Sequence, residues 1–238
     1  MEQYCGVGIV YEDNHLLVVV KPPNMPTQAD ASGDPDLHGT MKRYIAEKYQ
    51  KPGAVYLGLV HRLDRPVGGL VVLARTSKAA DRLSRQVRDK TLARQYVAAV
   101  RGTPEPEGEL CDWLLKDAAT NTVRAVAQGT PGAKDARLRY ACVGAADGLT
   151  LVRVKLFTGR SHQIRVQLSH HGMPIWGDAR YGGGRPGQQI ALWGAHLGLE
   201  HPTLKTPMRF DAPPPQDAAP WSGFGTEVWQ REAQMWVE

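Results

Sequence analysis

Apolar and polar positions alternate at Val7, Ile9 and Tyr11, break at Glu12-Asp13-Asn14-His15, and resume as the continuous run Leu16-Leu17-Val18-Val19-Val20. Period-two alternation, turn residues and then a short buried-type run predict a β-hairpin. Lys21-Pro22-Pro23-Asn24-Met25-Pro26 ends the second strand, because proline cannot donate to a ladder. Across 39–49, Met41, Tyr44, Ile45 and Tyr49 recur at helical spacing and predict a short amphipathic helix. Residues 55–60 and 70–74 read as strands on either side of the polar stretch His61-Arg62-Leu63-Asp64-Arg65. Thr76-Ser77 then offers an N-cap for a helix of about three turns whose apolar face is Ala79, Ala80, Leu83 and Val87.

Arg82, Arg85 and Arg88 lie on the other face of that helix. Such a row suits either a solvated surface or contact with RNA phosphate. A strand follows at 96–100, and Gly102 to Glu109 reads as a connection, not a domain linker. Several short extended runs are expected between 110 and 143. Residues 149–157 alternate through Leu149, Leu151, Val154 and Leu156, and the next segment turns helical through Ile164, Val166 and Leu168 until Gly172. Residues 181–189 read as a loop and 212–220 as a proline-rich tail segment. Trp229, Ala233 and Trp236 would share one helical face, and exposed tryptophans are costly enough that this end should dock on the body. Strands outnumber helices in hairpin-like order. A single α+β domain over 1–238 is therefore expected, its core at about 8–215 and its mixed, mainly antiparallel sheet flanked by helices.

Composition narrows the classes. With 42% hydrophobic and 22% charged residues among 238, the chain is ordinary for a globular protein large enough to bury a core. The net charge of +5 favours an acidic partner without identifying one. Cys5, Cys111 and Cys142 are odd in number and widely spaced, so neither a disulfide framework nor a cysteine zinc site is indicated. The N-terminal stretch lacks a basic segment followed by an apolar core, so no signal peptide is expected. The longest apolar run is far shorter than a membrane span. A cytoplasmic location follows as the expectation.

Candidate chemistry is then found by elimination. There is no HExxH, and the adjacent His170 and His171 would point about 100° apart on a helix, so no metal is expected. No GxxxxGK[ST] loop and no GxSxG elbow occurs. Two polar clusters remain at element boundaries: His61 to Arg65, and Gly159-Arg160-Ser161-His162-Gln163-Ile164-Arg165. Each could be an ion pair tying loops together or a site presented by a rigid frame. An aspartate beside arginines keeps its charge, which suits a nucleophile and spoils a general acid.

The letters of these clusters resemble a known family. HRLDRPVGGLVVLARTSKAA (61–80) is similar to the HRLDRxTSGL signature of the RluA family of RNA pseudouridine synthases. ARQYVAAVRG (93–102) is similar to the family's KxYxAxVxG strand, and TGRSHQIRVQLSHHGMPIWGDARYGG (158–183) to GRTHQIRxHLxxxGxPIxGDxxYG. HLGLEHPTLKTPMRFDAPPP (196–215) resembles the closing strand pair. The motifs occur in order from Lys21 to about 215. Pro66-Val67-Gly68-Gly69 departs from the family's Thr-Ser before Gly-Leu; Pro66 and Gly68 would shape the loop by stiffness and backbone freedom instead.

The resemblance implies the pseudouridine synthase fold with a central RNA-binding cleft, acting as a monomer on ribosomal or transfer RNA with no cofactor, metal or membrane. It also implies that no RNA-binding module precedes the catalytic domain, leaving target choice to loops at 103–135 and 182–189. It assigns Asp64 as the catalytic aspartate, Tyr96 as the stacking residue and Arg165 as the aspartate's partner. Arg62 lies at the RNA-facing edge and Ile164 lines the base pocket. Arg160 belongs to the same substrate-binding cluster, and His162 and Gln163 either bond the pyrimidine edge or brace the loop. Asp64 either attacks C1′ of the sugar or takes a proton from C2′. A non-catalytic RNA binder of the same fold is the alternative; a hydrolase would need a second carboxylate as acid, and none stands out.

Overall fold

In the computed structural model, which describes residues 1–235, the predicted hairpin forms from β2 (Val7–Glu12) and β3 (Leu16–Lys21), with a short β1 (Glu2–Tyr4) on its outer side. Asp13 sets the turn: one carboxylate oxygen accepts from the amides of His15 and Leu16 at 2.7 and 2.6 Å. The side chain does locally what a backbone turn would do. Helix α1 (Leu37–Lys48) starts two residues before the expected position, capped by Asp36 accepting from the Gly39 amide at 3.0 Å. Tyr49 ends it as the C-cap and is exposed, held by Glu12 and lying against Arg75, so it does not share the buried face as its spacing suggested.

The predicted strand at 55–60 shrinks to the two residues of β4 (Gly58–Leu59), which pairs with β5 (Gly68–Ala74). Every residue of β5 is buried, and it pairs antiparallel with β3 from Leu16↔Ala74 to Lys21↔Gly69. Thr76 caps α2 (Ser77–Arg88), accepting from the Ala79 amide at 3.1 Å.

The chain divides into two compact units, Met1–Arg94 with Gly194–Pro213, and Gln95–Trp193 with the segment beginning at Pro214. In the first unit, Leu16, Val18, Leu70, Val72, Leu83, Leu197 and Phe210 belong to one apolar core, which α2 closes through Ala79 and Leu83. Gly69 sits at φ +124°, where a Cβ would lie 2.4 Å from the backbone nitrogen and oxygen of Gly194. Only glycine permits that approach.

The second unit is a sheet ordered β6 (Ala93–Arg101), β10 (Leu149–Leu156), β9 (Lys134–Ala146), β7 (Glu107–Asp117) and β8 (Thr122–Val126), every ladder antiparallel. Between 110 and 143 the chain thus builds two long strands and one short one, where several short runs were expected. Helix α3 (Gln163–His170) is buried at every residue from Gln163 to Leu168, which is why its apolar spacing lacked a polar face.

Strand β11 (Leu192–Glu200) pairs antiparallel with β12 (Pro207–Asp211) in the first unit, from His196↔Asp211 to Glu200↔Pro207. The C-terminal segment packs on the second unit through α4 (Thr226–Gln234). Its buried face is Val228, Trp229 and Glu232, while Ala233 is exposed and Trp236 lies outside the described residues. Glu232 pairs with the fully buried Arg153 of β10, and Arg231 donates to the Val143 carbonyl at 2.8 Å.

Candidate active site

Asp64 and Arg62 belong to the first unit, on the loop between β4 and β5. Three sets of hydrogen bonds fix that loop. Thr27 donates its hydroxyl to the Leu63 carbonyl at 2.8 Å and accepts from the Leu63 amide at 3.3 Å. Lys21, fully buried at the end of β3, donates to the carbonyls of Pro22, Met25 and Arg65 at 3.0, 2.8 and 3.1 Å. The Val67 amide donates to the Asp64 carbonyl at 3.0 Å. Desolvation pushes the Lys21 ammonium down to about 7; the Asp64 charge opposes that fall and Arg65 adds to it.

His61 accepts from the Val72 amide at Nε2, 3.0 Å away, which puts its ring proton on Nδ1. Nδ1 is buried with no hydrogen-bond partner among the described residues. Burial first, then the Arg94 charge, drive the imidazole down to about 3, which favours the neutral ring. Arg65 turns outward to Ser32 and Asp34, leaving Asp64 half-buried between a turned-away arginine and the exposed Arg62.

The remaining predicted residues belong to the second unit. Tyr96 is buried in β6 opposite Val154 of β10. Arg165, on α3, holds Asp178 in a two-pronged ion pair, Nε to Oδ2 and Nη2 to Oδ1, both 2.8 Å. Burial raises the Asp178 carboxyl, but Arg165 and the amides of Arg180 and Tyr181 outweigh it and hold it below the usual carboxylate range. Two parallel bonds fix the plane of the guanidinium, and the Tyr181 ring lies 5.1 Å beneath it. The Tyr181 hydroxyl meets both His162 Nδ1, at 2.7 Å, and the Val123 amide.

Gln163 is buried and uses its whole amide inside the protein. Nε2 donates to the Arg137 carbonyl and to Gln167, while Oε1 accepts from Thr158 and the Arg160 amide. Arg160 clamps Asp135 through its carbonyl and carboxylate, both at 2.7 Å. Ile164 is buried in the first turn of α3. His162 takes a left-handed backbone, φ 52°, at the N-cap of α3.

Four residues that organise these surroundings were given no role from sequence: Lys21, Thr27, Asp178 and Tyr181. Lys21 and Asp178 carried a signal. A lysine closing an apolar strand and an aspartate within PIWGD are charges in apolar company, and such charges need partners.

Residues 15–170 match the RNA pseudouridylate synthase family. Ribosomal large subunit pseudouridine synthase D of Zymomonas mobilis is 34% identical over 221 residues, spanning 88% of this chain and 69% of that protein. A Bacillus subtilis protein named uncharacterized RNA pseudouridine synthase YjbO is 36% identical over 218 residues, 89% of this chain and 74% of its own length. Among solved structures, Human RNA Pseudouridylate Synthase Domain Containing 4 shares the fold with a TM-score of 0.73 at 20% identity, covering 94% of this chain and 92% of its own. Human RNA Pseudouridylate Synthase Domain Containing 1 aligns with a TM-score of 0.67 at 25% identity, covering 88% and 84%. Fold and matches together define an RNA-modifying isomerase. The chain belongs to the RNA pseudouridylate synthase family, within the RluA type that its motifs resemble, and it converts uridine to pseudouridine in RNA. Among the described residues no helix is long and apolar enough to cross a membrane.

Proposed function

We propose that Asp64 is the catalytic carboxylate of this isomerisation and that large-subunit ribosomal RNA is the substrate. The observation that carries the first part is the pinning of the Asp64 loop by Lys21 and Thr27: three hydrogen bonds, two to Leu63 and one to Arg65, hold backbone on both sides of one half-buried carboxylate. A solvated turn has no need of them. The name of the Zymomonas relative supports the second part.

The reaction balances without an outside reagent. The N1–C1′ bond breaks, a C5–C1′ bond forms, C5 gives up its proton and N1 gains one, so the product is an isomer and no electrons are exchanged. Asp64 either attacks C1′ or removes the C2′ proton, and both tasks need a fixed carboxylate shielded from water. Reaching the base requires taking it out of the stack, at about a few kcal/mol. Stacking on Tyr96 returns about 1–3 kcal/mol of that. Arg165, its plane set by Asp178, serves the aspartate, and Ile164 lines the uracil pocket. Arg62, Arg160 and His162 contact RNA. Gln163 braces the loop before α3, since its amide is consumed within the protein.

The test uses RNA from a strain lacking the gene, labelled with tritium at uridine C5. Wild-type protein should release tritium, and Asp64→Asn should release none while melting like wild type. Release by the variant at the wild-type rate overturns the assignment. Mapping pseudouridine in the same strain, with and without the gene restored, checks the substrate. A loss confined to transfer RNA would overturn the ribosomal assignment.

A further inference from the structure

Asp112 on β7 and His170 and His171 at the end of α3 each offer a ligand atom, and the three atoms lie within 4.8 Å of one another. The rule that adjacent helical histidines diverge does not apply here. Helix α3 stops at His170, and His171 is its C-cap at φ −92°, ψ 23°, off the helical path. The two rings sit 5.2 Å apart, nearly perpendicular.

We propose that Asp112, His170 and His171 form a surface site for a divalent transition metal of the zinc class, separate from the residues assigned to the isomerisation. His171 Nε2 is already 3.1 Å from both Asp112 oxygens. Ligands about 2.0–2.1 Å from a tetrahedral ion stand about 3.4 Å apart, so that pair is at coordinating separation. Rotation of the exposed His170 side chain supplies the third donor. The carboxylate is oriented from behind: Gln167, fully buried, donates to Asp112 Oδ2 at 2.7 Å. Ligands held by an outer partner in this way bind metal more tightly. The site lies at the carbonyl end of α3, where the helix dipole favours a cation. Two imidazoles and one carboxylate select zinc, nickel or copper over magnesium or calcium, and three protein ligands leave a coordination position for water. An occupied site would tie the end of α3 to β7, both in the second unit.

The test is calorimetric titration of tag-free protein with zinc chloride near neutral pH, alongside thermal melts with and without zinc. Wild type should bind one ion per chain and melt at higher temperature with zinc. His170→Ala, His171→Ala and Asp112→Asn should each bind at least about tenfold more weakly and lose the melting shift. Circular dichroism without metal should stay at the wild-type spectrum, with His→Gln replacements used wherever an alanine variant fails to fold. Tritium release from uridine-labelled RNA should continue in all the variants. Absence of stoichiometric binding by wild type overturns the proposal. So does undiminished binding in His170→Ala, which would reduce the site to an ordinary His171–Asp112 ion pair.

Discussion

Replacing Asp178 by asparagine keeps the shape of the side chain and withdraws the charge from a buried guanidinium. Both partners of the Arg165–Asp178 pair are buried, at 8% and 1% side-chain exposure. Removing one charge from such a pair costs about 3–5 kcal/mol, so Asp178→Asn should lower stability by roughly that amount in urea unfolding. An Arg165→Met, Asp178→Asn double variant should lose less than the two single losses summed, because the pair acts as one unit. His61 gives a second outcome, read in pH. Its folded value of about 3 lies below the 6.5 of a free histidine. The stability it contributes is therefore present above pH 6.5 and is lost as pH falls from 6.5 toward 3, while the unfolded chain takes up a proton the native one refuses. Wild type should weaken on acidification more steeply than His61→Gln, by up to about 1.4 kcal/mol per pH unit; equal slopes in denaturant titrations at pH 6.5 and 5 would contradict the burial of that imidazole. The polar stretch around Asp64 was legible as a candidate because its motif is short and contiguous. Asp178 was not, since it lies 13 residues beyond Arg165 and meets it only once the chain between them has turned back.

Among the elements, those built by local chemistry were the legible ones. The Asp13 turn and the Thr76 cap are each made by a side chain within three residues of what it holds. Strands β7 and β9 were harder to see. Their burial alternates unevenly and much of each is exposed, so apolar periodicity undercounts them, and it is the ladder from Glu107↔Ala141 to Leu114↔Lys134 that makes them continuous. The expected strand at 55–60 fails for the opposite reason. It is apolar enough, but only Gly58 and Leu59 find partners, on β5. Gly69 provides the test at this scale. Gly69→Ala combines a left-handed backbone with a methyl 2.4 Å from the Gly194 backbone, and backbone cannot rotate aside as a flexible side chain can. Strain and overpacking each cost about 1–3 kcal/mol. A fall in melting temperature on the order of 10 °C is expected, and an unchanged melt would mean that β5 and β11 do not approach so closely.

For the whole molecule, periodicity could not announce two units, because neither is continuous in sequence. The boundaries fall at Arg94/Gln95, Trp193/Gly194 and Pro213/Pro214; the first two lie inside strands β6 and β11, and only the third coincides with a proline-rich stretch. The net charge of +5 is a molecular property of the same kind, and its consequence depends on where the cations are already engaged. Of the row on α2, Arg82 donates to the Pro202 carbonyl at 2.7 Å and Arg85 pairs with Asp81 at 3.2 Å. Arg65 is likewise held by a carboxylate. The excess available to phosphate is therefore smaller than the count of 29 basic residues suggests. If about four phosphates are neutralised, the logarithm of the RNA binding constant should fall with the logarithm of salt concentration at a slope of about −3 to −4. Fluorescence anisotropy between about 50 and 200 mM salt measures this directly. Arg62→Gln should reduce the magnitude of the slope by about one, whereas Arg82→Gln should leave it unchanged, since that guanidinium is turned to the Pro202 carbonyl. A slope near zero in wild type would remove phosphate contact as the source of affinity, and equal losses in the two variants would return the α2 row to the RNA-binding surface.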